Sequence, residues 1–265
     1  MTTRPRSEAP ERAPGDMALA CYVYGVVRAD ARLPEDLTGI AGGEVFLVRY
    51  GDLAAAVSEI SPVQALGTRD DLLAHEAVVE ALANETTTLP LRFGAVVTTA
   101  DALAEEMLAP HEDWFLDVLD DLGGAREFAV SGVYAEDVVL REVLREDPQA
   151  ARLRERVREL PEDAAYYDRI RLGELIVKAL DEKRQADTDE LIDTLEPYSR
   201  AVAPRAPAGE DAAADAAFLV ADRDLEEFER AVDRLGERWG DRVRLRMVGP
   251  LAPYDFVPPP PGGGN

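Results

Sequence analysis

Cysteine and histidine are nearly missing from this chain: 265 residues carry one Cys, Cys21, and two His, His75 and His111. A single cysteine excludes an intrachain disulfide and any thiolate cluster, and it favours a reducing compartment. Cys21 lies in the apolar run 19–27, where a small buried thiol is the ordinary reading. Two imidazoles leave little room for metal or triad chemistry. His75-Glu76 lacks the second His four residues on that a zinc-protease helix needs, and Ser131-Gly132 lacks the full Gly-x-Ser-x-Gly elbow. Gly39-Ile40-Ala41-Gly42-Gly43 is not followed by Lys-Ser or Lys-Thr, so no phosphate-binding loop forms there. Long apolar runs are absent too, which argues against a membrane span, and residues 1–16 are rich in Pro, Glu and Arg without an apolar signal core. These features predict a cytoplasmic protein with no cofactor, no metal site and no catalytic constellation.

Basic residues are in deficit. There are 29 Lys plus Arg against 53 Asp plus Glu, a formal net charge of -24. Such a surface repels phosphate backbones and anionic headgroups, so nucleic acid and membrane partners are disfavoured. Carboxylates are so abundant that no one pair of them is informative.

What is present is a mixture of strand and helix signals. Residues 19–27, 44–50 and 53–58 read as strands, the last two joined by a Gly51-Asp52 hairpin turn. Asp70 or Asp71 can cap a helix running to about residue 84. Next comes Leu89-Pro90-Leu91-Arg92-Phe93-Gly94, read as one strand: Pro90 fixes its own φ and extends Leu89, and Gly94 permits a bend. Arg92 in such a half-buried strand either ties the sheet edge to the preceding helix or marks a contact point for a partner. Residues 101–122 read as a helix in two pieces broken at Pro110, and Gly123-Gly124 as the domain boundary. Beyond a strand at 126–134, stretches 136–160 and 164–196 carry apolar stripes at helical spacing and predict a helical hairpin. Residues 204–215 read as a loop, followed by strand 216–221, helix 224–239 and strand 242–248, a βαβ-like unit. The closing Gly249-Pro250-Leu251-Ala252-Pro253-Tyr254-Asp255-Phe256 is irregular and stiffened by proline, with Tyr254 and Phe256 either filling the second domain's core or forming an apolar docking surface.

Eight of these stretches, in order, resemble the GvpL/GvpF family of gas vesicle proteins over roughly residues 19–256. They are Tyr22-Val23-Tyr24-Gly25-Val26-Val27, Leu73-Ala74-His75-Glu76-Ala77-Val78-Val79-Glu80, the Leu89–Gly94 run, and Ala109-Pro110-His111-Glu112-Asp113. The others are Leu122-Gly123-Gly124-Ala125-Arg126-Glu127, Leu172-Gly173-Glu174-Leu175-Ile176, Ala216-Ala217-Phe218-Leu219-Val220, and the closing segment. Where the family usually has Asn before the Ala-Ala-Phe-Leu run, this chain has Asp215, which cannot donate as an amide would.

The resemblance implies an accessory, non-enzymatic component that sits with the gas vesicle in the cytoplasm, binds the hydrophobic major shell protein and other vesicle accessory proteins, and supports nucleation and assembly. The residues lead to an α+β protein: a disordered arm at 1–17, a ferredoxin-like N-terminal sheet-and-helix domain at 18–124, a smaller-sheet C-terminal domain with the long helical hairpin at 125–257, and a disordered tail at 258–265. Candidate partner-binding residues are Arg92, Phe93, Gly94, His75, Glu76, Phe218, Pro253, Tyr254 and Phe256. Two alternatives stay open: a small-molecule enzyme using an interdomain cleft, with Arg92 as anion clamp and Glu76 as acid or base, and a shell component that self-associates through its long helices.

Overall fold

The computed structural model describes residues 19–35, 37–161 and 164–261. The arm expected at 1–17 and the last residues of the tail lie outside them. The described chain forms two compact units. One runs up to Glu127 and takes back the segment from Pro250; the other is Phe128–Gly249.

In the first unit, β1 (Ala20–Arg28), β2 (Val45–Tyr50) and β3 (Leu53–Ile60) form an antiparallel sheet, with β2 and β3 joined at Gly51-Asp52. Next come α1 (Arg69–Glu85), then two short strands on the far side of β1, β4 (Leu89–Pro90) and β5 (Val96–Val97). The strand order is β2-β3-β1-β4, with β5 also on β1. A helical stretch opens as α2 (Ala100–Ala102), continues through a π turn at Leu103–Leu108 and a tight turn at Ala109–His111, and ends as α3 (Glu112–Leu122). α3 buries Phe115, Val118, Leu119 and Leu122.

The second unit takes β6 (Ala125–Tyr134), α4 (Glu136–Glu146), α5 (Pro148–Glu159), α6 (Tyr166–Leu195), β7 (Ala201–Pro204), β8 (Ala212–Ala221), α7 (Leu225–Trp239) and β9 (Val243–Leu251). Its order, β7-β8-β6-β9, puts β6 between the two strands that α7 connects. The predicted βαβ is therefore a split one. Both sheets have the same permutation: in each, the third strand lies between the first and second, and the fourth flanks the first. This is the ferredoxin-like order, expected only for the first unit and found in both. The predicted hairpin also forms. Arg156 on α5 pairs with Asp168 on α6 at 2.7 Å, and Glu142 and Glu146 on α4 meet Lys183 at 3.1 and 2.7 Å, so the chain doubles back.

Several expectations are corrected. The cap of α1 is Thr68, whose hydroxyl accepts from the Asp71 N–H while the Asp71 carboxylate accepts from the Thr68 N–H, a reciprocal box with Asp71 at its third position. The Leu89–Gly94 run is not one strand: after Pro90 the chain leaves the sheet for a turn, with Gly94 at φ 94°, and returns at Val96. The unit boundary falls within β6 rather than at Gly123-Gly124, because that strand starts directly after α3 and carries the chain across. β8 begins at Ala212, where a loop was expected, since alternation is hidden in an all-alanine stretch. The closing segment, expected with the second domain, packs with the first: Ala252 and Tyr254 join the cluster built by Tyr22, Tyr24, Val78 and Leu82.

Candidate functional site

Four of the family-like stretches meet in the first unit. β1 has an irregularity between Val23 and Gly25, and Tyr22 and Tyr24 sit on the same cluster with ring centroids 5.0 Å apart. Gly25 is required there, because a Cβ would sit 2.9 Å from the Leu89 carbonyl oxygen. The Leu91–Ala95 turn is stitched to the same strand: the Leu91 N–H donates to the Tyr24 carbonyl at 2.9 Å and the Val23 N–H to the Ala95 carbonyl at 2.8 Å. The Gly94 N–H donates to the Tyr22 hydroxyl at 3.0 Å.

His75 is at the centre. It is 3 % exposed on the inner face of α1, its Nδ1 is 2.9 Å from the Tyr22 hydroxyl and its Nε2 is 3.0 Å from the Tyr254 hydroxyl. A neutral imidazole donates from one nitrogen and accepts at the other, so one tyrosine gives a proton to the bond and the other receives one. Phe93 stands edge-on to the ring at 5.7 Å and Tyr24 stacks on it at 5.8 Å. Burial holds His75 below its ordinary pKa, outweighing the Leu91 carbonyl and Glu76, which pull the other way. Burial also pushes the Tyr22 phenol up to about 12, with the Gly94 N–H opposing, and raises Tyr254, with Tyr22, Glu76 and Glu80 adding to the effect. The site is thus neutral and hydrogen-bonded inside an acidic protein.

A second polar knot lies beside it. The Tyr24 hydroxyl donates to Ser58 Oγ at 2.9 Å and accepts from the Ile40 N–H at 2.8 Å. The glycine run dismissed as a phosphate loop has a structural role here: a Cβ on Gly39 would lie 2.2 Å from the Tyr24 hydroxyl and 2.3 Å from Ser58 Oγ. On the other side of the closing segment, the Asp255 N–H donates to the carboxylate of the buried Glu127 at 3.2 Å.

The residues named from sequence separate into four groups. His75, Phe93, Gly94 and Tyr254 come together. Glu76 and Arg92 are exposed beside them; Arg92 lies in the turn rather than in a half-buried strand and makes no ion pair with any described residue, so the tie to the preceding helix is absent. Pro253 is buried and Phe256 half-buried in the returning segment. Phe218 stands apart: it is fully buried in the second unit, 5.4 Å from Phe228, and serves that core. Sequence reasoning missed Tyr22, Tyr24 and Ser58; the closely spaced tyrosines before Gly25 were the available signal. Among the described residues, no group of three or more His, Cys, Asp or Glu could hold a metal ion, and no helix is long and apolar enough to cross a membrane.

Comparison with known proteins agrees with this convergence of motifs. The sequence profile described as "Gas vesicle synthesis protein GvpL/GvpF" matches residues 20–258. The chain belongs to the GvpL/GvpF family of gas vesicle proteins. It is 30% identical over 242 residues to gas vesicle protein F of Streptomyces sp. (strain CB03234), covering 90% of this chain and 100% of that one. It is 31% identical to gas vesicle protein L of the same strain, over 89% of this chain and 92% of the relative. The crystal structure of gas vesicle protein GvpF from Anabaena sp. PCC7120 superposes with a TM-score of 0.76 at 25% identity, over 91% of this chain and 98% of that one. Membership places the chain in gas vesicle formation.

Proposed function

We propose that this GvpL/GvpF-family chain is an accessory assembly factor that binds the hydrophobic gas vesicle shell protein, at the vesicle in the cytoplasm, without turnover chemistry or a cofactor. The observation that carries the reading is the gathering of four family-like stretches around His75, with Arg92 and Glu76 left exposed at its edge. A buried aromatic cluster closed by neutral hydrogen bonds is a rigid base, and an exposed cation without an ion pair on a turn anchored to it is free for a partner. The acidic body keeps an apolar subunit in solution while it is held.

Co-expression with the shell protein and the other vesicle accessory proteins, followed by pull-down on this chain, tests it. Capture by the native chain, lost in Arg92→Ala with an unchanged melting temperature, supports the reading. Arg92→Ala should shift stability by less than about 0.5 kcal/mol, as for any surface side chain without a partner. Tyr254→Ala with Phe256→Ala should also reduce capture. If the native chain captures no vesicle protein, the reading fails.

A further inference from the structure

β9 ends the second sheet. β6 pairs with it on one side, and the order β7-β8-β6-β9 puts no described strand on the other. Such an edge offers unpaired N–H and C=O groups to another strand, and proteins blunt it with short strands, proline, charges or a covering element. Over 243–248 β9 is blunted only by two outward arginines. Its side chains alternate there: Val243, Leu245 and Met247 pack on the core, while Arg244, Arg246 and Val248 are exposed.

Beside this edge a groove of about 550 Å³ runs between β9 and α7, with Val232, Leu245 and Met247 along it and Glu229 and Asp233 on the helix side. Gly236 of α7 also lines it. Glycine is a poor residue inside a helix, and packing does not demand it here, because a Cβ would meet only Leu245 Cδ1, at 3.8 Å, an ordinary contact. Its effect is to keep the groove open where a side chain would enter it.

The charges divide by face. Arg244 and Arg246 project from the outer face of the sheet and Glu229 and Asp233 from the α7 side. All four are exposed, and none makes an ion pair with any described residue. A strand added to β9 would alternate its own side chains between the same two faces. Those facing the groove would meet apolar side chains with two carboxylates at the rim, and those facing out would meet two guanidinium groups.

We propose that the β9 edge takes an extended segment of another protein as a further strand, with apolar residues and a Lys or Arg facing the groove and Asp or Glu facing out. A second copy of this edge is disfavoured, because two-fold antiparallel pairing would gather both copies' arginines on one face and both copies' carboxylates on the other. The surface lies wholly in the second unit and does not rest on the shell-protein reading.

The test titrates full-length protein into short dye-labelled peptides and follows fluorescence anisotropy. One peptide alternates groove-side Val, Lys and Val with outward Glu; the control exchanges Lys and Glu. The first should bind about tenfold more tightly or better. Successive N–H groups of a strand point to opposite sides, so of two peptides N-methylated at neighbouring central residues, one should lose binding and the other keep it. Gly236→Leu should fill the groove and abolish binding while the melting temperature holds or rises. Arg244→Glu with Arg246→Glu should narrow or reverse the preference between the two peptides. The proposal is overturned by equal binding of peptide and control, by no saturable signal up to about 1 mM, by equal effects of the two methylations, or by binding that survives Gly236→Leu. It is also overturned if the protein forms a concentration-dependent dimer that Gly236→Leu dissolves, or if an oligonucleotide displaces the first peptide.

Discussion

The two units share one strand order and lock it in opposite ways. The first uses neutral groups: Tyr22, His75 and Tyr254 in a row, with Tyr24 and Ser58 beside them. The second uses charge. Arg242 meets Asp187 with two bonds of 2.6 and 2.8 Å, the Tyr134 hydroxyl donates to the same carboxylate at 2.5 Å, and the guanidinium lies 6.0 and 5.8 Å from the Tyr134 and Trp239 rings. Burial raises the Tyr134 phenol, and Asp187 adds to that shift. Their first crossovers differ as much. Among the described residues, the connection from β1 to β2 holds a tight turn at Ile40–Gly42 and no longer helix, whereas that from β6 to β7 holds α4, α5 and α6. One permutation of strands therefore accepts either a neutral or an ionic lock, and either a short or a long connection, as long as each buried polar group has a partner.

The largest test of this contrast is Phe218→Ala. Removing a fully buried phenyl from the second core should cost about 4 kcal/mol in chemical denaturation, while shell-protein capture by the folded fraction stays intact. If capture is lost without loss of stability, Phe218 belongs to a binding surface after all. Asp187→Ala comes next, at about 3 kcal/mol, because it strands a mostly buried guanidinium and the Tyr134 hydroxyl together. The two tryptophans separate the units here: Trp114 is in the first and Trp239 in the second. In Trp114→Phe the emission of Trp239 should report this loss, and in Trp239→Phe the emission of Trp114 should hardly move.

Tyr254→Phe keeps the ring and removes one hydroxyl from His75, and it should cost about 1 kcal/mol, read through Trp114. The smallest effect is a slope with pH. His75 has a lower pKa folded than unfolded, so the unfolded chain takes up its proton first as pH falls. Its contribution is whole above the ordinary histidine value of about 6.5 and declines as pH drops below it, towards the folded value. Both histidines lie in the first unit, so the decline belongs there; His75→Gln should flatten the slope of the Trp114 signal between pH 7.5 and 5.5, and an unchanged slope would remove His75 from the lock.

The periodic parts of the fold were legible from the residues. The apolar runs 44–50 and 53–58 with the Gly51-Asp52 turn between them marked the first hairpin, and the apolar stripes marked the α4–α6 hairpin and α7. What escaped depended on chain reversal in space. Pro90 marks strand entry, but only the bond from Gly94 to Tyr22, 72 residues away, shows why the strand stops again. Tyr254 is 179 residues from His75, so nothing local told which unit its ring would enter. The candidate site was half readable for the same reason: Phe93 and Gly94 stood in an apolar run marked by a proline, a charge and a glycine, and His75 in a family-like stretch, whereas Tyr22 and Tyr24 looked like ordinary strand aromatics. Asp187 and Arg242 were hidden among so many charges that only burial distinguishes them.

The return of the closing segment has a consequence for biosynthesis. On the ribosome the first unit emerges early, but the tyrosine that meets His75 lies beyond the whole of the second unit. The usual order, in which the N-terminal part finishes first, is therefore reversed: the inserted unit can complete its own core while the first waits with an open imidazole. Until residue 254 leaves the exit tunnel, the aromatic cluster around His75 is accessible, and a chaperone or an early partner would have its chance in that interval.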